Sequence, residues 1–237
     1  MQIEPKIIYE DNHIIVVIKP YNIAVQEDSS ADLDMLTIIK EYIKERDKKP
    51  GNVFLGLVHR LDRPTGGVMV FAKTSKAASR LSDQLKSKQM KKCYLTVVLG
   101  RPKDVKAHLV TYLKKDEKTN TVHIAPQLET GSKEAILDYE LIETKNRLSL
   151  LSVDLITGRS HQIRVQMAQQ MNTPIYGDYK YGDKAHAGRL ALWAYELTFL
   201  HPISKENMRF SVAPDFNNPA FKLFENTINN IVDRKIR

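Results

Sequence analysis

Three features of this 237-residue sequence predict an α+β fold. Short runs rich in β-branched and aromatic residues recur along the chain, bounded by Asp, Asn, Gly and Pro. Only a few stretches carry apolar residues at helical spacing. The two kinds of element do not alternate strictly, so a βαβ architecture is not indicated.

Taken in order, Ile7-Ile8-Tyr9-Glu10 and residues 13–19 flank Asp11-Asn12 and predict a hairpin, with Pro20 ending its second strand. Residues 32–48 place Leu33, Leu36, Ile39, Tyr42 and Ile43 on one helical face, and Lys49-Pro50-Gly51 stops that helix. The apolar run 67–72 is short enough for a buried strand. Ser75 is positioned to cap a helix over 76–88 that carries Ala78, Leu81 and Leu85. Residues 92–99 return as a strand ended by Gly100 and Pro102. Segments 106–125 and 135–155 alternate as antiparallel strands, with turns near 118–120 and 145–146. A helix is predicted over 161–171 with Ser160 as its cap. Strands follow near 190–199 and 208–213, and a last amphipathic helix near 219–233. No repeat, low-complexity stretch or linker interrupts the chain, which reads as one domain over 1–237, long enough to bury a sizeable core.

Lysine and arginine outnumber acids by 36 to 28, a net charge of +8 that favours an anionic partner, nucleic acid first. The basic residues are spread along the chain and form no separate tail. The single cysteine, Cys93, cannot form an internal disulfide, fits a reducing compartment and reads as a packed core thiol. No run approaches membrane-spanning length and the N-terminus has no apolar signal core, so a cytoplasmic protein without a membrane partner is expected. Seven scattered histidines and one cysteine offer no metal-ligand spacing. No nucleotide-binding glycine loop and no Gly-x-Ser-x-Gly elbow is present.

The most informative stretch is Val58-His59-Arg60-Leu61-Asp62-Arg63-Pro64-Thr65-Gly66-Gly67. Its one carboxylate lies between two arginines, which keep it ionised and able to act as nucleophile or base. Arg60 and Asp62, two apart, face one side of an extended segment. A second cationic loop, residues 156–166, is a candidate to close on it. By itself an Arg-x-Asp pair is more often a structural ion pair.

His59-Arg60-Leu61-Asp62-x-x-Thr65-x-Gly67 resembles the active-site motif of the RluA-type pseudouridine synthases, and Thr157-Gly158-Arg159-Ser160-His161-Gln162-Ile163-Arg164 resembles that family's second signature. Lys92-Cys93-Tyr94, Tyr176-Gly177-Asp178-x-x-Tyr181-Gly182 and Leu190-Ala191-Leu192-Trp193-Ala194 follow in the family's order, and the similarity runs from about residue 6 to about 213. The resemblance implies a mixed, largely antiparallel sheet with a central catalytic cleft. It also implies isomerisation of specific uridines in structured RNA, rRNA or tRNA, with no cofactor or metal. No DNA partner is expected, and a monomer is the default. Family members often carry an N-terminal S4 domain. The chain as given begins at the catalytic domain, so RNA recognition is expected from that domain itself.

By the same resemblance Asp62 is the catalytic aspartate, attacking C1′ or C6 or taking a ribose proton. Arg164 is its ion-pair partner, suited by a planar fork of donors. Tyr94 is the aromatic against the base, and Arg60 steadies the flipped nucleotide. His59 is a hydrogen-bonding residue of the same motif. Arg159, His161 and Gln162 are expected to hold RNA phosphates. Lys73, Lys76, Arg80, Lys86, Lys88, Lys91 and Lys92 offer a further basic track, equally explained as a solvated face. Three positions depart from the pattern. Gly66 replaces the usual serine, Gln166 stands where a histidine often follows, and Trp193, also at a histidine position, reads as core. Two rivals stay open: a non-catalytic RNA-binding protein of this fold, and an enzyme that cleaves the glycosidic bond outright.

Overall fold

The computed structural model describes residues 4–28, 32–182 and 188–234. The chain forms two compact units, Met1–Met90 with Glu196–Val212, and Lys91–Tyr195 with Ala213–Arg237.

In the first unit β1 (Lys6–Glu10) and β2 (Ile14–Lys19) form the expected hairpin. Asp11 makes the turn: its Oδ1 accepts from the amides of His13 and Ile14, and its own amide donates to Ile14 O. The helix α1 (Met35–Arg46) starts later than its apolar pattern, because Asp34 takes the cap position and accepts from Thr37 N. It also ends before Lys49-Pro50-Gly51, at Asp47. A short β3 (Gly56–Leu57), which periodicity does not reveal, pairs with β4 (Gly66–Ala72). The β4 strand pairs antiparallel with β2, Lys19 facing Gly67, and is buried on both faces. Helix α2 (Ser75–Lys86) is capped by Thr74 rather than Ser75, since the Thr74 hydroxyl reaches Ala77 N. Its Ala77 and Leu81 join Ile14, Val16, Val68, Val70 and Phe199 in one core.

In the second unit β5 (Lys91–Leu99), β9 (Leu148–Leu155), β8 (Lys133–Lys145), β6 (Lys106–Asp116) and β7 (Thr121–Ile124) pair in that order, every pair antiparallel. Register divides their side chains into two faces. Tyr94 faces Val153, and Leu137, Ala135 and Leu113 lie on that same face, whereas Cys93 and Asp154 point the other way. Cys93 is buried, as its strand position predicts, with its thiol on Asp154. The predicted helix over 161–171 is split into α3 (Gln162–Val165) and a π-turn over Gln166–Gln170, in which Met171 N reaches back five residues to Gln166 O. Ser160 does not cap it. His161 takes that place in a left-handed conformation. Val165 packs against Leu113, Val122 and Ala135, so α3 covers the face that carries Tyr94.

The strand β10 (Leu192–Leu200) begins in the second unit and continues into the first, where β11 (Asn207–Ser211) pairs with it. The final helix is two, α4 (Pro219–Lys222) and α5 (Glu225–Arg234). The architecture is α+β, with largely antiparallel pairing and few helices. Trp193 is buried. Among the described residues, no helix is long and apolar enough to cross a membrane.

Candidate active site

In the first unit, Asp62 opens a tight turn, Asp62-Arg63-Pro64-Thr65, closed by Thr65 N donating to Asp62 O at 2.9 Å. The turn is held from beneath by Lys19. This lysine ends a strand of β-branched residues, is fully buried, and donates from Nζ to Pro20 O at 3.0 Å, Arg63 O at 3.0 Å and Thr65 O at 2.7 Å. Burial pushes its pKa down to about 7, while the nearby Asp62 carboxylate opposes the fall and Arg63 adds to it.

His59 is buried, and its Nε2 accepts from Val70 N at 3.3 Å, tying the start of the loop to β4. That fixes Nε2 as an acceptor, in line with a hydrogen-bonding role. Arg63 is drawn aside by Asp32, at 2.9 Å. Arg60 is exposed and makes no hydrogen bond or ion pair among the described residues. Gly67 has φ +133°, a backbone that side chains rarely adopt, which accounts for glycine at the end of the motif.

In the second unit the loop 157–161 is pinned to β8. Thr157 N donates to Ile136 O and Ile136 N to the Thr157 hydroxyl, at 3.1 and 2.7 Å. Gln162 is the strut of this loop. Its Oε1 accepts from the Thr157 hydroxyl and from Arg159 N, and its Nε2 donates to Ile136 O. Both ends of that amide are therefore spent inside the protein. Arg159 is exposed, with Nε donating to Glu134 O. His161, at φ 52°, is steadied by its Nδ1 contact of 2.6 Å with the Tyr181 hydroxyl, which itself accepts from Val122 N.

Arg164 is buried on the inner side of α3. Its Nε and Nη2 donate to Asp178 Oδ2 and Oδ1 at 2.8 and 2.7 Å, and its guanidinium lies 5.1 Å from the centre of the Tyr181 ring. Asp178 also accepts from the amides of Lys180 and Tyr181. Tyr94, 5% exposed, stands on the sheet face that α3 covers.

The site residues thus fall into two groups. His59, Arg60 and Asp62 share one clamped loop of the first unit. Arg159, His161, Gln162 and Arg164 share one loop and helix of the second, with Tyr94 on the face beneath that helix. Of the basic track, Lys73 is bound to Glu10 and Asp11 O, and Arg80 donates to Pro202 O. The sequence reading missed Lys19 and Asp178 as supports. Lys19 was signalled by a lone cation ending an apolar strand, and Asp178 by its place in Tyr176-Gly177-Asp178. Gly177 there has φ +75°, and a Cβ on it would lie 2.6 Å from Arg189 O, which fixes the turn that aims Asp178. Among the described residues no three His, Cys, Asp or Glu side chains cluster as metal ligands.

Comparison with known proteins identifies the family. The profile of a family described as RNA pseudouridylate synthase matches residues 13–169. The chain is 31% identical over 235 residues to a protein of Buchnera aphidicola named ribosomal large subunit pseudouridine synthase C, covering 95% of this chain and 70% of that protein. It is 33% identical over 218 residues to the protein of that name in Vibrio parahaemolyticus, covering 89% of this chain and 66% of the relative. Among solved structures, Human RNA Pseudouridylate Synthase Domain Containing 4 superposes with a TM-score of 0.75 at 22% identity, over 89% of both chains. That likeness concerns the fold. By sequence profile and by its relatives, the chain belongs to the RNA pseudouridylate synthase family.

Proposed function

We propose that this protein isomerises specific uridines of a structured RNA to pseudouridine, with Asp62 as the catalytic carboxylate. Relatives named for the large ribosomal subunit make rRNA the leading substrate and tRNA the alternative. The observation that carries the reading is the clamped Asp62 turn. A buried lysine holds two carbonyls of the turn, His59 ties its approach, and Arg60 is left exposed beside the carboxylate. A loop this constrained presents its carboxylate in one geometry, as attack on a nucleoside or removal of its proton requires.

In this reading Arg164 is the ion-pair partner that keeps Asp62 ionised, and its fork with Asp178 fixes the direction of the guanidinium. Tyr94 lies against the base. Arg60 steadies the flipped nucleotide, offsetting the few kcal/mol lost on unstacking. Arg159 and His161 face the RNA, while His59 and Gln162 act by holding the loops that carry those groups.

The test is tritium release from RNA labelled at uridine C5, using rRNA and tRNA pools separately, with wild type and Asp62→Asn side by side. Release by the wild type alone supports the isomerase, and the active pool gives the substrate class. Free uracil in place of pseudouridine would turn the reading to glycosidic cleavage. Salt-sensitive RNA binding without release would turn it to a binding protein.

A further inference from the structure

We propose that Lys92, with Arg159 of the exposed loop 158–160, is a seat for one phosphodiester of the RNA strand that carries the target uridine. The inference rests on the RNA-modifying function proposed above.

Lys92 and Tyr94 are two residues apart on β5 and so project from the same face, about 7 Å apart along the strand. A group that holds a phosphate next to an aromatic that holds a base needs this kind of spacing. The side chain of Lys92 does not run out into solvent. It lies across the second signature loop, with Nζ 3.1 Å from where a Cβ on Gly158 would stand. A Cβ at 158 would make the amine give way by a few tenths of an ångström, and exposed Arg159 and Ser160 follow in the same loop.

Among the described residues the charge on Lys92 meets no carboxylate. It makes no hydrogen bond or ion pair among the described residues, and burial alone lowers its pKa. Three lysines of the same antiparallel meander are paired, Lys106 with Glu140, Lys114 with Glu129 and Lys145 with Glu143. Arg159 also lacks a carboxylate among the described residues. Its Nε is on Glu134 O, which orients the rest of the guanidinium without neutralising it. A partly desolvated ammonium costs free energy in the free protein. An arriving anion offsets that cost. Two such cations around an exposed Gly-Arg-Ser turn fit the two non-bridging oxygens of a phosphodiester, the guanidinium as a fork and the ammonium as a point charge.

The experiment compares wild type, Lys92→Met, Lys92→Arg and Gly158→Ala, each checked for folding by thermal melting. Tritium-release kinetics and RNA affinity are measured over a range of salt. We expect Lys92→Met to raise KM about tenfold, with the smaller part of the loss in kcat. The slope of log affinity against log salt should fall by roughly 0.7–0.9, the value of one phosphate contact. Lys92→Arg should restore most of the slope. Gly158→Ala crowds the amine and should give a weaker version of the same loss, non-additive with Lys92→Met. If Lys92→Met leaves KM and slope unchanged in an active enzyme, or if the two losses add independently, the seat is refuted and the proposed function stands. Should Lys92→Met fail to fold, Lys92→Gln decides in its place: an unchanged salt slope and KM in that variant refutes the seat. An inactive wild type that also fails to bind RNA overturns both proposals.

Discussion

Arg164 and Asp178 form a buried two-pronged ion pair, with side chains 7% and 1% exposed and both carboxylate oxygens engaged. Asp178 is prepared for this by two backbone amides on its Oδ1, so the fork is fixed from the acid side as well. Removing Asp178 takes away the carboxylate whose fork offsets the desolvation of the buried guanidinium. Asp178→Ala should therefore cost about 3–5 kcal/mol of stability, read from urea unfolding. Arg164→Lys, which keeps the charge but loses the fork, should lower kcat while costing less stability. A thermal melt of Asp178→Ala matching wild type would refute the anchoring role.

Lys19 gives a pH test. Its pKa is lowered to about 7 by burial, against an ordinary 10.5. Between these values the unfolded chain carries the proton and the folded protein does not. Stability from this group therefore rises with pH, by up to about 1.4 kcal/mol per unit, and is level below about pH 7. Lys19→Met removes the titrating group. The difference in unfolding free energy, wild type minus Lys19→Met, should climb between pH 7 and pH 9. A level difference would mean that the three carbonyls hold the ammonium charged throughout.

Gly67, at φ +133° and facing Lys19 across the β2–β4 pair, is placed where a side chain strains the backbone. Gly67→Ala should cost about 1–3 kcal/mol and lower kcat through the Asp62 turn that immediately precedes it. Gly51, which has nothing within 4 Å of an added Cβ, is the control: Gly51→Ala should be near neutral in the same urea titration.

Gln162 is a strut, and its loss should show in stability before binding. Gln162→Leu strands the Arg159 amide, a donor to its Oε1, and removes one of the two acceptors of the Thr157 hydroxyl, the other being Ile136 O. The expected cost is about 1–3 kcal/mol, with faster amide exchange at residues 157–161. A variant with unchanged exchange and a raised KM for RNA would instead assign Gln162 to direct contact.

Much of this was legible in the order of residues. Two β-branched runs around Asp11-Asn12 can only pair through a turn that Asp11 caps, and the alternation from 91 to 155 dictates a meander. These features depend on near neighbours, and periodicity reports them. Errors fell at element ends. Thr74 and Ser75 are both able to cap, and the choice depends on which hydroxyl reaches Ala77 N. His161 enters its helix in a left-handed conformation that no periodic pattern signals. The motif residues were legible as chemistry: an aspartate between arginines, a tyrosine in a strand, an arginine after Ser-His-Gln.

The sequence by itself determined the strand alternation, the turns, the family motifs and the types of group available for reaction. Tertiary structure alone decided which charges are spent internally and which are left over. Lys19 reaches a carbonyl 46 residues away, and Arg164 finds its acid 14 residues on. Lys73, equally basic in the sequence, is consumed by Glu10. The reason is physical. Backbone preference is set by adjacent residues, whereas the partner of a buried charge is set by packing that brings distant segments within hydrogen-bond reach.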